Sequence, residues 1–412
     1  MMPASGGPDD RSQYLAEISQ VLWPSPAIAS AGRDFNADVA GADQRAVRHE
    51  LIVLPGLGRP RLIVPATRRA GAAAVRRYGE PGSAKTLLAT RALAPMLRAG
   101  ASRAFRDRIR VTAPDGAATI EAYLASLLGM PVEISMHLGA PRANRKPVLQ
   151  LLTPSGDTVG FAKIGVNELT CELIRAEHAA LRRVSTAGLT RLRAPAVLAS
   201  GQWQGLDVLV LSALPTWRRR SRLAPGDLAH ALAELARMEG LYEAPLVTGE
   251  YWQRLQRRLA TAGHSADHDA LRHTLPRLAS LGADVTVCFG AWHGDLTPWN
   301  LASIRDELLV WDWERFATNV PVGFDALHYW LQEQVVSGRR DPAAAAAECV
   351  RQAGSLLAPL GIAPSRARLT ALAYLAELSV RYLADRQEEF APRLGSPGRW
   401  LLPALRAGIE SE

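Results

Sequence analysis

His293-Gly294-Asp295-Leu296-Thr297-Pro298-Trp299-Asn300, followed closely by Trp311-Asp312-Trp313-Glu314, is the stretch from which the rest of the chain is read. Asp295 lies five residues before Asn300, so a loop leaving the aspartate can turn back and present both side chains to one place. Residues 300–312 read as a hairpin with Arg305-Asp306-Glu307 as its turn. Its second strand, Leu308-Leu309-Val310-Trp311, ends at Asp312, beside the strand that Asn300 begins.

On both sides of this hairpin the pattern is helical. Apolar residues recur at helical spacing over 225–238, 249–262, 269–281, 324–336, 343–357 and 365–384. Upstream the period changes. Residues 131–138, 147–152 and 158–164 are β-type runs, the last two separated by a Pro154-Ser155-Gly156-Asp157 turn. An amphipathic helix follows, with Leu173, Ile174, Glu177, Leu181 and Val184 in repeat, and then two more β-type runs at 196–199 and 207–213. Five strands with one helix after the third predict a small antiparallel α+β lobe over 116–213. A larger, mainly helical lobe over 214–412 carries the hairpin, which makes the expected fold bilobal with a cleft between. Residues 1–115 form an N-terminal α/β extension, with short strands at 51–54 and 61–64 and helical stretches around 12–22, 70–78 and 86–99.

Composition narrows the function classes. With 48% hydrophobic and 21% charged residues the chain is an ordinary globular protein, and no apolar run approaches the ~18 residues of a membrane span. The opening Met1-Met2-Pro3-Ala4-Ser5-Gly6-Gly7 lacks the basic and apolar regions of a secretory signal, which predicts a cytoplasmic protein. Cys171, Cys288 and Cys349 are far apart, without the spacing of a zinc site or a disulfide framework. The net charge of +8 belongs to the N-terminal half, because residues 213–412 hold 22 Arg and no Lys against 23 acidic residues. The basic residues are scattered and without interleaved aromatics, so no nucleic-acid partner is expected. Gly79-Glu80-Pro81-Gly82-Ser83-Ala84-Lys85-Thr86 approaches a phosphate-binding loop, but Ala84 replaces the glycine before the lysine and a helix precedes it, so it reads as an ordinary loop.

Phosphoryl transfer asks for a cation at the phosphates, oxygen ligands for Mg²⁺ and an acceptor for the proton of the attacking hydroxyl. The stretch from Asp295 to Asp312 offers the last two. It resembles the aminoglycoside phosphotransferase and choline kinase family, which has the protein-kinase-like fold; the resemblance covers roughly residues 119–400. It implies an ATP-dependent phosphotransferase for a hydroxyl of a small molecule, such as an aminoglycoside, a sugar or an amino alcohol. On that pattern Asp295 would be the catalytic base or hydroxyl-orienting carboxylate, Asn300 and Asp312 would hold Mg²⁺, and His293 would brace the loop. The same pattern asks for a lysine on the third strand paired with a glutamate on the next helix. Lys163 is on that strand, one of three lysines in a chain with 45 arginines. Glu177 is the helix candidate and Glu172 the alternative. Asp325 matches a position that braces the active-site loops. The loop 139–147 has one glycine where a protein kinase would have several, leaving backbone amides or Asn144 to meet phosphates, and 211–214 would face adenine.

Other readings weigh against these. A nucleotide-binding regulatory module without transfer activity would be marked by loss of Asp295, Asn300 or Asp312, and all three are present. A protein kinase would show an Ala-Pro-Glu-like anchor after Asp312, and none is found. Trp292, Trp299, Trp311 and Trp313 read as core, with Trp299 the exception. His264, Asp267, His268, Asp269 and His273 read as solvated capping residues at a helix start.

Overall fold

The structure, a computed structural model, describes residues 10–33, 46–79, 84–139, 144–217, 221–305, 307–385 and 396–411. The chain forms two compact units. The first comprises Met1–Pro141, Arg145–Ile174 and Ala196–Trp217; the second comprises Arg142–Asn144, Arg175–Pro195 and Arg218–Glu412. Both are α+β, and no described helix is long and apolar enough to cross a membrane.

The strands in chain order are β1 (Ile28–Gly32), β2 (Ala46–Leu54), β3 (Leu62–Pro65), β4 (Arg108–Ala113), β5 (Glu133–His137), β6 (Val148–Leu152), β7 (Thr158–Ile164), β8 (Leu192–Arg193), β9 (Val197–Trp203) and β10 (Leu206–Ser212). Among the described residues of the first unit, all of these except β8 form one antiparallel sheet in the order β1-β4-β2-β3-β5-β6-β7-β10-β9. The five strands expected from the sequence are its second half. The first half comes from residues 1–115, which are therefore continuous with the lobe. Leu62 and Ile63 of β3 pair with His137 and Met136 of β5.

Period-two alternation explains how this sheet is covered. Leu51, Val53 and Ile63 face a core with Leu15, Ile18 and Leu22 of helix Asp10–Leu22 and with Ile120 and Leu124 of helix Ile120–Leu128. Ile52, Leu54, Leu62 and Val64 face the opposite core, made with Ala70, Ala74 and Val75 of helix Arg68–Gly79 and Leu97 of helix Ala84–Arg98. Helix Ile120–Leu128 starts where Thr119 Oγ1 accepts the Ala122 N–H at 3.3 Å and stops at Gly129, whose φ is +67°. Its Glu121 is buried, and both carboxylate oxygens accept from the Trp23 indole N–H, at 2.9 and 3.2 Å.

β9 is longer than the expected 196–199, because Gln204 and Gly205 both take positive φ (51° and 79°) and close a two-residue hairpin into β10. The polar run Ser200-Gly201-Gln202 hides that strand, which lies at the sheet edge. Residues 140–143 and 80–83, which are part of the expected phosphate-covering loop and of the rejected phosphate loop, lie outside the described residues.

In the second unit β8 runs parallel to β14 (Glu307–Val310), which pairs antiparallel with β13 (Leu301–Ile304) as the expected hairpin. A further sheet, β11 (Tyr242–Pro245), β12 (Thr286–Trp292) and β15 (Ala317–Pro321), was not expected. The helices Pro225–Arg237, Glu250–Thr261, Ala266–Leu281, Phe324–Gln332, Pro342–Arg351 and Pro364–Ala384 match the periodic stretches, and Pro397–Glu410 adds another. Pro364–Ala384 is buried on nearly every face and forms the axis of the core, with Tyr251, Phe289, Phe324 and Trp400 around it. At the start of Ala266–Leu281, Ser265 Oγ accepts the His268 N–H, as a cap does. His268 itself is not solvated but buried, its Nε2 3.2 Å from the Leu259 carbonyl.

Candidate functional site

The loop from β12 to β13 carries His293, Gly294, Asp295 and Asn300. Gly294 takes φ +86°, and a Cβ there would stand 2.2 Å from the Arg315 carbonyl oxygen, so only glycine fits. Asp325, in the first turn of helix Phe324–Gln332, fastens the loop by its backbone. Its Oδ2 accepts the His293 N–H at 2.7 Å and its Oδ1 the Gly294 N–H at 3.0 Å. Burial pushes the Asp325 carboxyl up to about 7, against these two hydrogen bonds and the nearby Arg381, which pull it down. Arg381 also donates to the Gly294 carbonyl. His293 is a buried brace: Nδ1 accepts the Asp295 N–H and Nε2 donates to the Trp311 carbonyl, each at 3.2 Å. Burial brings its pKa down to about 4.

Asp295 itself stays accessible, with 38% of its side-chain surface exposed. Asn300 Nδ2 donates to its Oδ2 at 3.0 Å and to its carbonyl at 3.0 Å; His328 Nε2 stands 3.2 Å from its Oδ1. Burial alone would raise the Asp295 carboxyl, but the His328 hydrogen bond and the nearby Arg381 charge outweigh it and hold the carboxyl below its ordinary range. The group is an anion. Because the Asn300 amide commits its nitrogen to that anion, its Oδ1 is left for another partner.

Across the hairpin, Trp311 N–H donates to the Asn300 carbonyl at 3.1 Å, which brings Asp312 to the same end as Asn300. Asp312 takes φ +72°, a costly conformation for a residue with a side chain, of order 1–3 kcal/mol. Glu177, buried on helix Glu168–Thr186, accepts the next amide, Trp313 N–H, at 3.3 Å. Oxygens of Glu177, Asp312 and Glu314 lie within 4.8 Å of one another, and Asn144 Nδ2 donates to Glu314 at 2.9 Å. Oxygen donors gathered this closely suit a hard divalent ion.

Of the residues expected at the site, Asp295 and Asn300 are in contact, and Asp312 gathers with Glu177. Lys163 belongs to the first unit, buried on β7 between Val148 of β6 and Leu209 of β10. Glu314, His328, Tyr374 and Arg381 are additions. Glu314 stood in the opening motif as a flanking residue. Trp292 and Trp313 are core, as read, whereas Trp299 is exposed.

The chain matches no protein-family model and no curated protein. It does match solved structures. The choline kinase LicA from Streptococcus pneumoniae aligns at 15% identity and TM-score 0.48 over 71% of this chain and 98% of that one. The chain is similar to small-molecule kinases. A thermostable mutant of aminoglycoside phosphotransferase APH(4)-Ia, in ternary complex with ADP and hygromycin B, aligns at 14% identity and TM-score 0.46 over 71% and 99%. The amicoumacin kinase hAmiN, in complex with AMP-PNP, Ca²⁺ and Ami, aligns at 16% and 0.41 over 68% and 88%. At such identities function is a matter for the chain's own residues.

Proposed function

We propose that this chain is an ATP-dependent phosphotransferase that moves the γ-phosphoryl group onto a hydroxyl of a small molecule. The observation that carries the reading is the Asp295 carboxylate: ionised, accessible, gripped on both oxygens, and set on a loop that Asp325 fastens by its backbone. An anion so placed orients an incoming hydroxyl and accepts its proton, and the buried bracing limits the misplacement that costs rate.

Asp312, Glu314 and Asn300 Oδ1 are the oxygens we assign to Mg²⁺, which when bound would neutralise the phosphates and the charge that grows on them. Glu177 sets the position of Asp312 through the Trp313 amide. Lys163, a compact point charge on a buried strand, is assigned to the nucleotide phosphates.

The test pairs the native chain with Asp295→Ala and follows ADP release from Mg-ATP with choline, hygromycin B or a neutral hexose as acceptor. The variant should fold and lose about 10³-fold or more in acceptor-dependent turnover, in line with loss of a general base. Undiminished turnover in Asp295→Ala removes the assignment, and success of the hexose alone would set aside the polycationic antibiotics as acceptors.

A further inference from the structure

Asp295 has a neighbour that belongs to no motif. His328 lies on helix Phe324–Gln332, one turn after Asp325, with its side chain fully enclosed. Its ring bridges two things: Nε2 stands 3.2 Å from Asp295 Oδ1, and Nδ1 stands 2.9 Å from the hydroxyl of Tyr374 on the central helix Pro364–Ala384. Arg381, two turns further along that helix, reaches the same Nδ1 at 3.5 Å. A guanidinium can only donate, so Nδ1 is the acceptor and the tyrosine hydroxyl turns its proton toward it as well. That leaves the ring hydrogen on Nε2, where it points at the carboxylate.

An aspartate carboxylate turns easily, because its terminal torsion is broad and roughly two-fold. Here two donors act on it from opposite elements, Asn300 Nδ2 from the hairpin and His328 Nε2 from the helix. With one lone pair on each oxygen taken, the plane of the group is set and the remaining lone pairs have fixed directions.

We propose that His328 is a positioning residue for phosphoryl transfer, its tautomer imposed by Tyr374 and Arg381 so that Nε2–H fixes the carboxylate of Asp295 toward the acceptor hydroxyl. This rests on the phosphotransferase reading. As the acceptor oxygen bonds to the γ-phosphorus, the bond to the β–γ bridging oxygen breaks with its electron pair going to ADP. The hydroxyl proton passes to Asp295 and then to solvent. His328 gains and loses no proton in this scheme; it aims the group that does. Loss of the donor should therefore reduce the rate of the step and leave nucleotide binding alone.

The experiment compares His328→Leu, which fills the space without a donor, with His328→Gln, whose amide can offer an N–H to the same oxygen. Each full-length variant is measured for ADP release from Mg-ATP, with water and with the fastest acceptor of the panel above, for the KM of ATP, and for Tm. His328→Leu should lose about 10- to 100-fold in kcat, the scale of a small misplacement, with the KM of ATP within about twofold. His328→Gln should recover at least about threefold over the leucine variant, because it restores the hydrogen bond. A leucine variant with native kcat overturns the proposal, and so does a glutamine variant no faster than leucine. Should His328→Leu fail to fold, Tyr374→Phe decides: it removes the nearer of the two donors to Nδ1, loosens the hold on the ring and should slow kcat several-fold, whereas native kcat overturns the idea. Asp295→Ala separates the two levels. If it stays active the reading of the site falls; if it is inactive while His328→Leu is normal, only the role of His328 falls.

Discussion

Each unit buries an acid whose carboxyl is pushed up to about 7 by the removal of water: Glu121 in the first and Asp325 in the second. Their partners differ. Glu121 takes the indole N–H of Trp23, a side chain packed beneath the sheet, and has His49 at 3.7 Å. Asp325 takes two successive backbone N–H groups of the loop that carries Asp295. An acid bonded to a side chain in a core can affect only how firmly that core holds. An acid bonded to the backbone of a working loop sets where the loop's side chains stand, so equal burial conceals unequal roles.

The strongest way to break this contrast is Asp325→Ala. It leaves two buried N–H groups without acceptors, at about 1–3 kcal/mol each, and should lower turnover by about 100-fold or more as Asp295 drifts. Turnover within twofold of native would erase the distinction. Glu121→Gln should instead leave turnover unchanged and raise Tm at pH 8, because the amide still accepts from Trp23 and carries no charge. The sign follows from linkage. A carboxyl whose folded pKa is raised from 4.5 to about 7 gives stability that is complete below pH 4.5 and lost as pH rises through 7. The variant's advantage should thus vanish at pH 4.5, open between there and pH 7, and level off near roughly 3 kcal/mol. A constant Tm difference across that range would show that Glu121 is not the titrating group. The smallest effect sharpens the second unit. Asp312→Asn removes a charged oxygen assigned to Mg²⁺, so it should abolish the increase in Tm that Mg²⁺ gives the native chain; an undiminished increase would take Asp312 out of the metal site.

What could be read in advance follows from the distance over which each feature is specified. The hairpin and the Asp295–Asn300 contact are local, since five residues and a two-strand register set them. Lys163 falls on its strand because the Pro154-Ser155-Gly156-Asp157 turn and the β-type run after it mark that strand. The sheet continuation through β3 and β5 was hidden, because nothing in Leu62–Pro65 states which edge it will meet. β12 was hidden because Thr286–Trp292 is a short apolar run with a glycine inside it, a pattern that strand and buried helix share. His328, Tyr374 and Arg381 were also hidden. They meet Asp295 only through the packing of Phe324–Gln332 against Pro364–Ala384, and no spacing rule links residues so far apart in the chain. Glu314 shows the opposite error: it lay in the quoted motif, but its acid character was passed over.

The joining of β3 to β5 also relocates a vulnerability. A strand at the rim of a sheet shows unpaired amides and carbonyls to which a stray chain can add. Among the described residues four strands stand outboard of β5, and at the usual strand spacing they carry the rim about 19 Å away, to β1. A segment recruited by strand addition on that side would dock at β1, with β4, β2 and β3 between it and β5.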